Sequence, residues 1–285
     1  MKNIFDMADQ NSDNLKTRHK LLKEKHENQN NLDLFKNFID FMRDKPTISI
    51  NIRQGVLISF LIQGVYKNRY EVTTERIEEL NGKRKIGISH ETAMDLQLKP
   101  HKKERKIFNS TFECAEKFKY GALNIGGLGP EKFGEYCVII KRKQSNEYSL
   151  LAFIKEDSLK YVEENSVDVE RLSRDIANRE CVPALVALKH ENEIGGIPFD
   201  ELASMICSNE GYIEAITKGE IKNVHIECVR MRQSVSNRFE NDLYKALISE
   251  LSDAEERYWL EAFINMRDLL HNLGIRVEVI DENGN

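Results

Sequence analysis

FKYGALNIGGLGPEKFG, residues 118–134, is the stretch on which the fold turns. Two aromatic-glycine pairs, Tyr120-Gly121 and Phe133-Gly134, bracket a run in which Gly126, Gly127 and Gly129 permit backbone angles closed to other residues, and Pro130 then sets one dihedral. Leu123 and Ile125 take the inward positions of a short strand, and Tyr136-Cys137-Val138-Ile139-Ile140 follows as a second strand. The local reading is a hairpin between two core strands, with a shaped, glycine-rich turn at its tip.

Upstream, apolar residues Leu34, Phe35, Phe38, Phe41 and Met42 recur at helical spacing over 32–42, and Pro46 ends the run. Residues 47–52 alternate, with Ile48, Ile50 and Ile52 on one buried face and Arg53 at the exit. Residues 56–63 predict a buried helix closed by Gly64, and 65–72 a strand or extended loop with Tyr66, Asn68 and Tyr70 on one side. A charged connection fills 73–105. Beyond residue 140, strands are expected at 149–154, 210–220, 224–229 and 275–280. Helices are expected at 157–167, 169–178, 199–208 and 236–270, and 182–188 suits a strand or a buried helix. The 210–220 strand places Tyr212, Glu214 and Ile216 on one face, with 224–229 as its partner. The fold class is therefore α+β rather than a regular parallel α/β fold.

The chain has 285 residues with 40% hydrophobic content, enough for a sizeable core. Forty-two basic against 47 acidic residues leave a net charge of -5, which argues against nucleic acid or an acidic membrane surface as partner. The five cysteines form no CxxC pair, so they are expected reduced in a cytosol, and no histidine cluster points to a metal. The longest apolar run, 56–65, is too short for a bilayer, and no secretory signal is expected. Residues 1–31 are polar enough to form a mobile tail or an exposed helix, 32–230 form the main domain, and 231–285 form a mainly helical extension packed on it.

Four windows, taken in order, resemble the bacterial family catalogued as domain of unknown function 3626: ISINIR at 48–53, GVYKNRYE at 64–71, FKYGALN at 118–124 with PEKFG at 130–134, and YIEAITKG at 212–219. The likeness spans about residues 46–220. Departures are the absent histidine-containing run before Arg53, Asn68 in place of a serine, and VTTERIEELNG after Glu71 in place of a TG-x-SNG run. That family is similar to the ADP-ribosyltransferases. The resemblance implies a split β-sheet core with flanking helices, NAD as co-substrate, no metal, and transfer of ADP-ribose to a host protein. A threonine of ubiquitin is the first candidate acceptor. It further implies a bacterial effector exported without a cleaved signal and acting in host cytosol.

On that resemblance Glu214 and Arg53 are the expected catalytic residues with Glu220 as fallback, and Arg53, Tyr66, Asn68, Tyr70, Glu71, Tyr120, Asn124 and Phe133 the expected NAD contacts. The chemistry is consistent with it. A carboxylate near the ribose stabilises positive charge as nicotinamide leaves, a guanidinium fork holds pyrophosphate, aromatic faces stack on the rings, and an asparagine reads the carboxamide. Taken without the resemblance, the same residues are a solvated strand carboxylate, a strand-end charge and core aromatics. The rival functions are a non-catalytic module binding through residues 236–270 and a simple NAD hydrolase.

Overall fold

The computed structural model describes residues 1–29, 31–84, 102–148, 150–194, 196–247 and 254–281. In chain order the elements are α1 (Ile4–Gln10), α2 (Ser12–Asn28), α3 (Leu32–Asp44), β1 (Thr47–Ile52), α4 (Gln54–Gln63), α5 (Arg69–Arg84), α6 (Lys102–Thr111), β2 (Lys119–Asn124), β3 (Tyr136–Ile140), α7 (Arg142–Glu147) and β4 (Leu151–Ile154). There follow β5 (Val162–Glu163), β6 (Ser166–Val167), α8 (Val169–Arg174), β7 (Ile176–Ala177), α9 (Val182–Lys189), α10 (Phe199–Ile206), β8 (Glu214–Thr217), β9 (Ile226–Arg232), α11 (Gln233–Leu247), α12 (Ala254–Asn272) and β10 (Arg276–Ile280). Among the described residues eight strands form one sheet in the order β10-β9-β3-β1-β2-β8-β4-β7, with β5 and β6 a separate ribbon. Among the described residues, β9 and β10 are the one pair of neighbours in this sheet that run parallel. The protein is thus mixed α and β, with a large, mostly antiparallel sheet flanked by helices.

The hairpin expectation is corrected: β2 and β3 do not pair, because β1 lies between them. Ser49 has Ala122 beside it on one side and Ile139 on the other. The glycine-rich stretch therefore crosses over β1, and the sheet is built to receive it. The face of β1 that carries Ile48, Ile50 and Ile52 packs against helices, whereas Ser49 and Asn51 on the other face are buried beneath the crossing chain. Asn51 Nδ2 donates to the carbonyls of Leu128 (2.9 Å) and Gly134 (3.2 Å). Gly129 has φ +66, and a Cβ there would collide with the Asn51 amide; one on Gly134 would collide with the Ile52 backbone. Close packing on β1 accounts for both glycines, and at Gly129 the left-handed backbone adds to it.

One sheet face packs on α4 and α12 through Ile50, Ile52, Val138, Val229, Phe263, Met266 and Leu270, and on α2, α3 and α9 through Ile48, Leu123, Phe153 and Ala215. The opposite face carries Phe118, Ala152, Ile154 and Ile216 against α1 and α6, whose Ile4, Phe5, Phe108 and Phe112 are buried. Each fully buried aromatic of this kind stabilises by about 3 kcal/mol or more relative to its truncation.

Several expectations change. Residues 1–31 are not a tail: Asn3 caps α1, Asn11 Nδ2 donates to Ile176 O at 2.7 Å, and Ile4, Phe5, Ala8, Leu15 and Leu22 are core residues. Residues 65–72 are not a strand. Val65 makes one bridge to Lys222, then α5 begins, because Asn68 and Glu71 form a reciprocal cap, Glu71 N donating to Asn68 Oδ1 (2.9 Å) and Asn68 N to Glu71 Oε2 (2.8 Å). The helix expected over 157–167 is a 3-10 turn, Ser158–Tyr161, followed by the β5–β6 ribbon, and the one expected over 169–178 stops at Arg174 before β7. The strand expected over 210–220 is confined to β8. Its expected partner, β9, pairs instead with β3 and β10, and it runs across the 230/231 boundary drawn between main domain and extension. Much of the 73–105 connection, Ser149, and 248–253 within the 236–270 helical run lie outside the described residues.

Candidate active site

Glu214 opens β8 and stands opposite Ala122 of β2 and Ile154 of β4. The alternation of β8 turns Ala215 into one core and Glu214 toward the other face, where it is only 4% exposed. The backbone N–H of Ser158 donates to its Oε2 at 2.9 Å. Burial first, and then the neighbouring Asp157 charge, push its pKa from 4.5 to about 8, against the pull of Arg105 and the Ser158 bonds. Near neutrality this carboxyl holds its proton.

Three elements close around it. Asp157 caps the following turn, accepting from Leu159 N at 3.0 Å through Oδ1, and accepts the Tyr212 hydroxyl at 2.8 Å through Oδ2. From α6 comes Arg105, its guanidinium carbon 4.2 Å from the centre of the Tyr120 ring. Burial works against that cation, but Tyr120, Glu214 and Asp157 sustain it and on balance raise its pKa. Phe108 and Phe112 anchor α6 by packing with Phe5 and Phe118, and Asn109 of the same helix bonds the Tyr70 hydroxyl. Among the described residues, Arg105 Nη1, Tyr120 Oη and Asn109 Oδ1 are buried without a hydrogen-bond partner. Three such atoms under one helix are unusual in a folded chain, where buried polar groups are nearly always paired.

Outside this nest, the Tyr212 ring is met edge-on by Phe133 at 5.8 Å and by the Lys132 ammonium at 4.8 Å. Lys189 Nζ donates to the carbonyls of Tyr212 and Lys155, each at 2.6 Å. Two surface hollows, of about 740 and 500 Å³, lie along α11 near Glu256 and between α1 and α8. Neither reaches Glu214, whose carboxylate is enclosed.

The expected residues divide accordingly. Tyr120, Tyr70 and Phe133 come to the nest or its rim. Asn68 and Glu71 serve the start of α5: Asn68 also donates to the Glu116 and Phe118 carbonyls, and Glu71 pairs with Lys119 at 2.9 Å. Tyr66 lies with the other core, edge-on to Phe60 at 5.7 Å. Asn124 is 1% exposed and saturated, donating to Ser49 Oγ and Gly127 O and accepting from Gly126 N and Arg230, which leaves it no polar atom for a ligand. Arg53 is exposed at the start of α4, four residues beyond Ser49 and thus at the far end of the strands from Glu214. Strand spacing separates their Cα atoms by roughly 16 Å. Glu220 is exposed and pairs with Lys222 at 3.0 Å.

Arg105, Asp157 and Asn109 escaped the sequence reading. Arg105 sits in a KKERK run that looks like any solvated helix, and only the Phe108/Phe112 pair three and seven residues on signals which side of that helix is buried. Among the described residues no cluster of His, Cys, Asp and Glu suits a metal ion, the five cysteines are free, and no helix is long and apolar enough to cross a membrane. No family model matches the chain, and no curated protein matches it. The resemblance to the ADP-ribosyltransferases rests on the motif order.

Proposed function

We propose that the Glu214 nest is the centre of an NAD-dependent ADP-ribosyltransferase of the kind the motif order resembles. Its acceptor is a host protein, a ubiquitin threonine being the first to test, and the chain acts as a bacterial effector in host cytosol. The observation that carries the reading is the company Glu214 keeps: a proton-holding carboxyl beside a guanidinium stacked on a phenol ring, with Arg105 Nη1 and Tyr120 Oη each buried without a hydrogen-bond partner among the described residues.

Cleaving the bond between nicotinamide and ribose builds positive charge on the sugar, and an ionised carboxylate beside it lowers that barrier. With a pKa of about 8, Glu214 is neutral in most empty molecules at pH 7. The positive charge of the bound pyridinium ring favours the ionised form, so binding and proton loss are coupled. Arg105 supplies the cation that Arg53 is too distant to supply, and the Tyr120 face stacks on its guanidinium, fixing its plane. Because Glu214 is enclosed, entry of NAD requires α6 or the turn at 156–158 to yield. The binding-module alternative draws less support, since α12 commits Phe263, Met266 and Leu270 to the core.

The test mixes the protein with NAD and ubiquitin, follows nicotinamide by chromatography, and weighs ubiquitin by intact mass spectrometry. A gain of one ADP-ribose, lost in Glu214→Gln, is expected. Nicotinamide release without a labelled protein, in ubiquitin or in a cell lysate, reassigns the chain to NAD hydrolysis. No release at all removes the reading.

A further inference from the structure

Two ammonium groups, Lys132 and Lys189, flank the Tyr212 ring, and the charge of Lys155 acts on Lys189; among the described residues none of the three makes a salt bridge to a carboxylate. Nearby, Glu156 is engaged by Lys160 at 3.6 Å and Arg171 at 3.5 Å, and Asp157 by the Tyr212 hydroxyl. Lys132 and Lys189 lie 4.8 and 5.9 Å from the centre of one aromatic ring, which places their charges within about 11 Å of each other. Lys189 is half-buried, and its pKa falls to about 8, by burial first and also by the charges of Lys160, Lys155 and Lys132, while Glu156 acts the other way. A folded chain does not gather like charges without cost, and a multivalent anion relieves it. Beside them Phe133 is 47% exposed, a flat ring held edge-on against Tyr212 at the end of the glycine-rich crossing.

We infer that the outer face of Tyr212 is a nucleoside-diphosphate subsite, in which Lys132, Lys155 and Lys189 hold the phosphates and Phe133 carries the base. Ammonium groups bind phosphate oxygens as point charges, and an exposed aromatic ring accepts a base by stacking. Two of the three donors of Lys189 are fixed on the Tyr212 and Lys155 carbonyls, so its remaining one is oriented, while the Lys132 ammonium lies over the Phe133 ring, 5.1 Å from its centre, as well as over Tyr212. Tyr212 links this rim to the reaction centre, since its hydroxyl holds Asp157, whose charge adds to burial in keeping the proton on Glu214. The identification of the ligand as the diphosphate half of NAD rests on the transferase reading; the anion site itself does not.

Calorimetric titration of the full chain with ADP and, separately, with inorganic pyrophosphate tests the assignment. Both are expected to bind wild type, more weakly as salt is raised. Lys132→Gln with Lys155→Gln should weaken both probes at least tenfold, and Phe133→Ala should weaken ADP but leave pyrophosphate within twofold. Lys189 is left intact because it ties two backbone carbonyls, and matched thermal unfolding of the variants checks that the fold persists. If wild type binds neither probe, or if the lysine variant binds them as well as wild type, the subsite is overturned. It is equally overturned if the lysines matter only for capture of an acidic protein acceptor. Lysine-dependent ADP binding without nicotinamide release keeps the subsite and removes the transferase. Release unaffected by the lysine changes does the reverse.

Discussion

Replacing Glu214 by Gln preserves the shape of a buried side chain and deletes its ionisation. The folded chain keeps the Glu214 proton up to about pH 8, whereas an exposed glutamate releases it near 4.5. Between these values the native state binds more protons than the unfolded chain, so wild type loses stability as pH rises through the window. At 1.36 kcal/mol per pH unit, the loss due to this one group between pH 5 and 9 is about 4 kcal/mol. Glu214→Gln carries whatever fixed cost its amide incurs, but not this slope. Thermal unfolding of both proteins at pH 5, 7 and 9 measures it. The difference in Tm, wild type minus variant, should move against wild type by roughly 8 to 16 °C across the series. Groups that titrate in both proteins, such as His190, held neutral by burial, cancel in that difference. Parallel pH profiles would refute the reasoning, because a carboxyl that ionises normally in the folded chain is neither desolvated nor crowded by Asp157.

Nicotinamide release should fall at least tenfold further in Arg105→Gln than in Arg53→Gln, read from initial rates at saturating NAD, since only Arg105 reaches the nest. Gly134→Ala forces a Cβ into the Ile52 backbone and should cost about 3 kcal/mol or prevent soluble expression, as urea unfolding will report. Asn68→Ala removes the reciprocal cap of α5 together with two donors to the Glu116 and Phe118 carbonyls. A loss of about 2 kcal/mol is expected in the same assay.

Local chemistry was enough to find most of the pieces. The alternation of Ile48, Ile50 and Ile52 specified β1 and its buried face, Gly64 with φ 78 closed α4 as expected of a glycine after a helix, and β3 and β10 fell where β-branched runs stand. Each of these signals spans fewer than about ten residues, so periodicity reports it directly. Where two structures share one local pattern, the sequence misled. Tyr66, Asn68 and Tyr70 alternate as in a strand, yet Asn68-x-x-Glu71 is also a helix cap, and two hydrogen bonds decided between them.

By itself, then, the chain specified a mixed α and β protein, the identity of its main strands, and the place of Glu214 on one of them. Strand order belonged to tertiary structure. Nothing local says that β1 inserts between β2 and β3, because that depends on pairings between residues 70 or more positions apart. The glycines at 129 and 134 record the consequence, a chain forced to cross hard against Ser49, Asn51 and Ile52. The candidate site is tertiary for the same reason. Glu214, Asp157, Arg105 and Tyr120 come from four separate elements, and a pKa set by burial and neighbouring charge exists only once those elements have packed together.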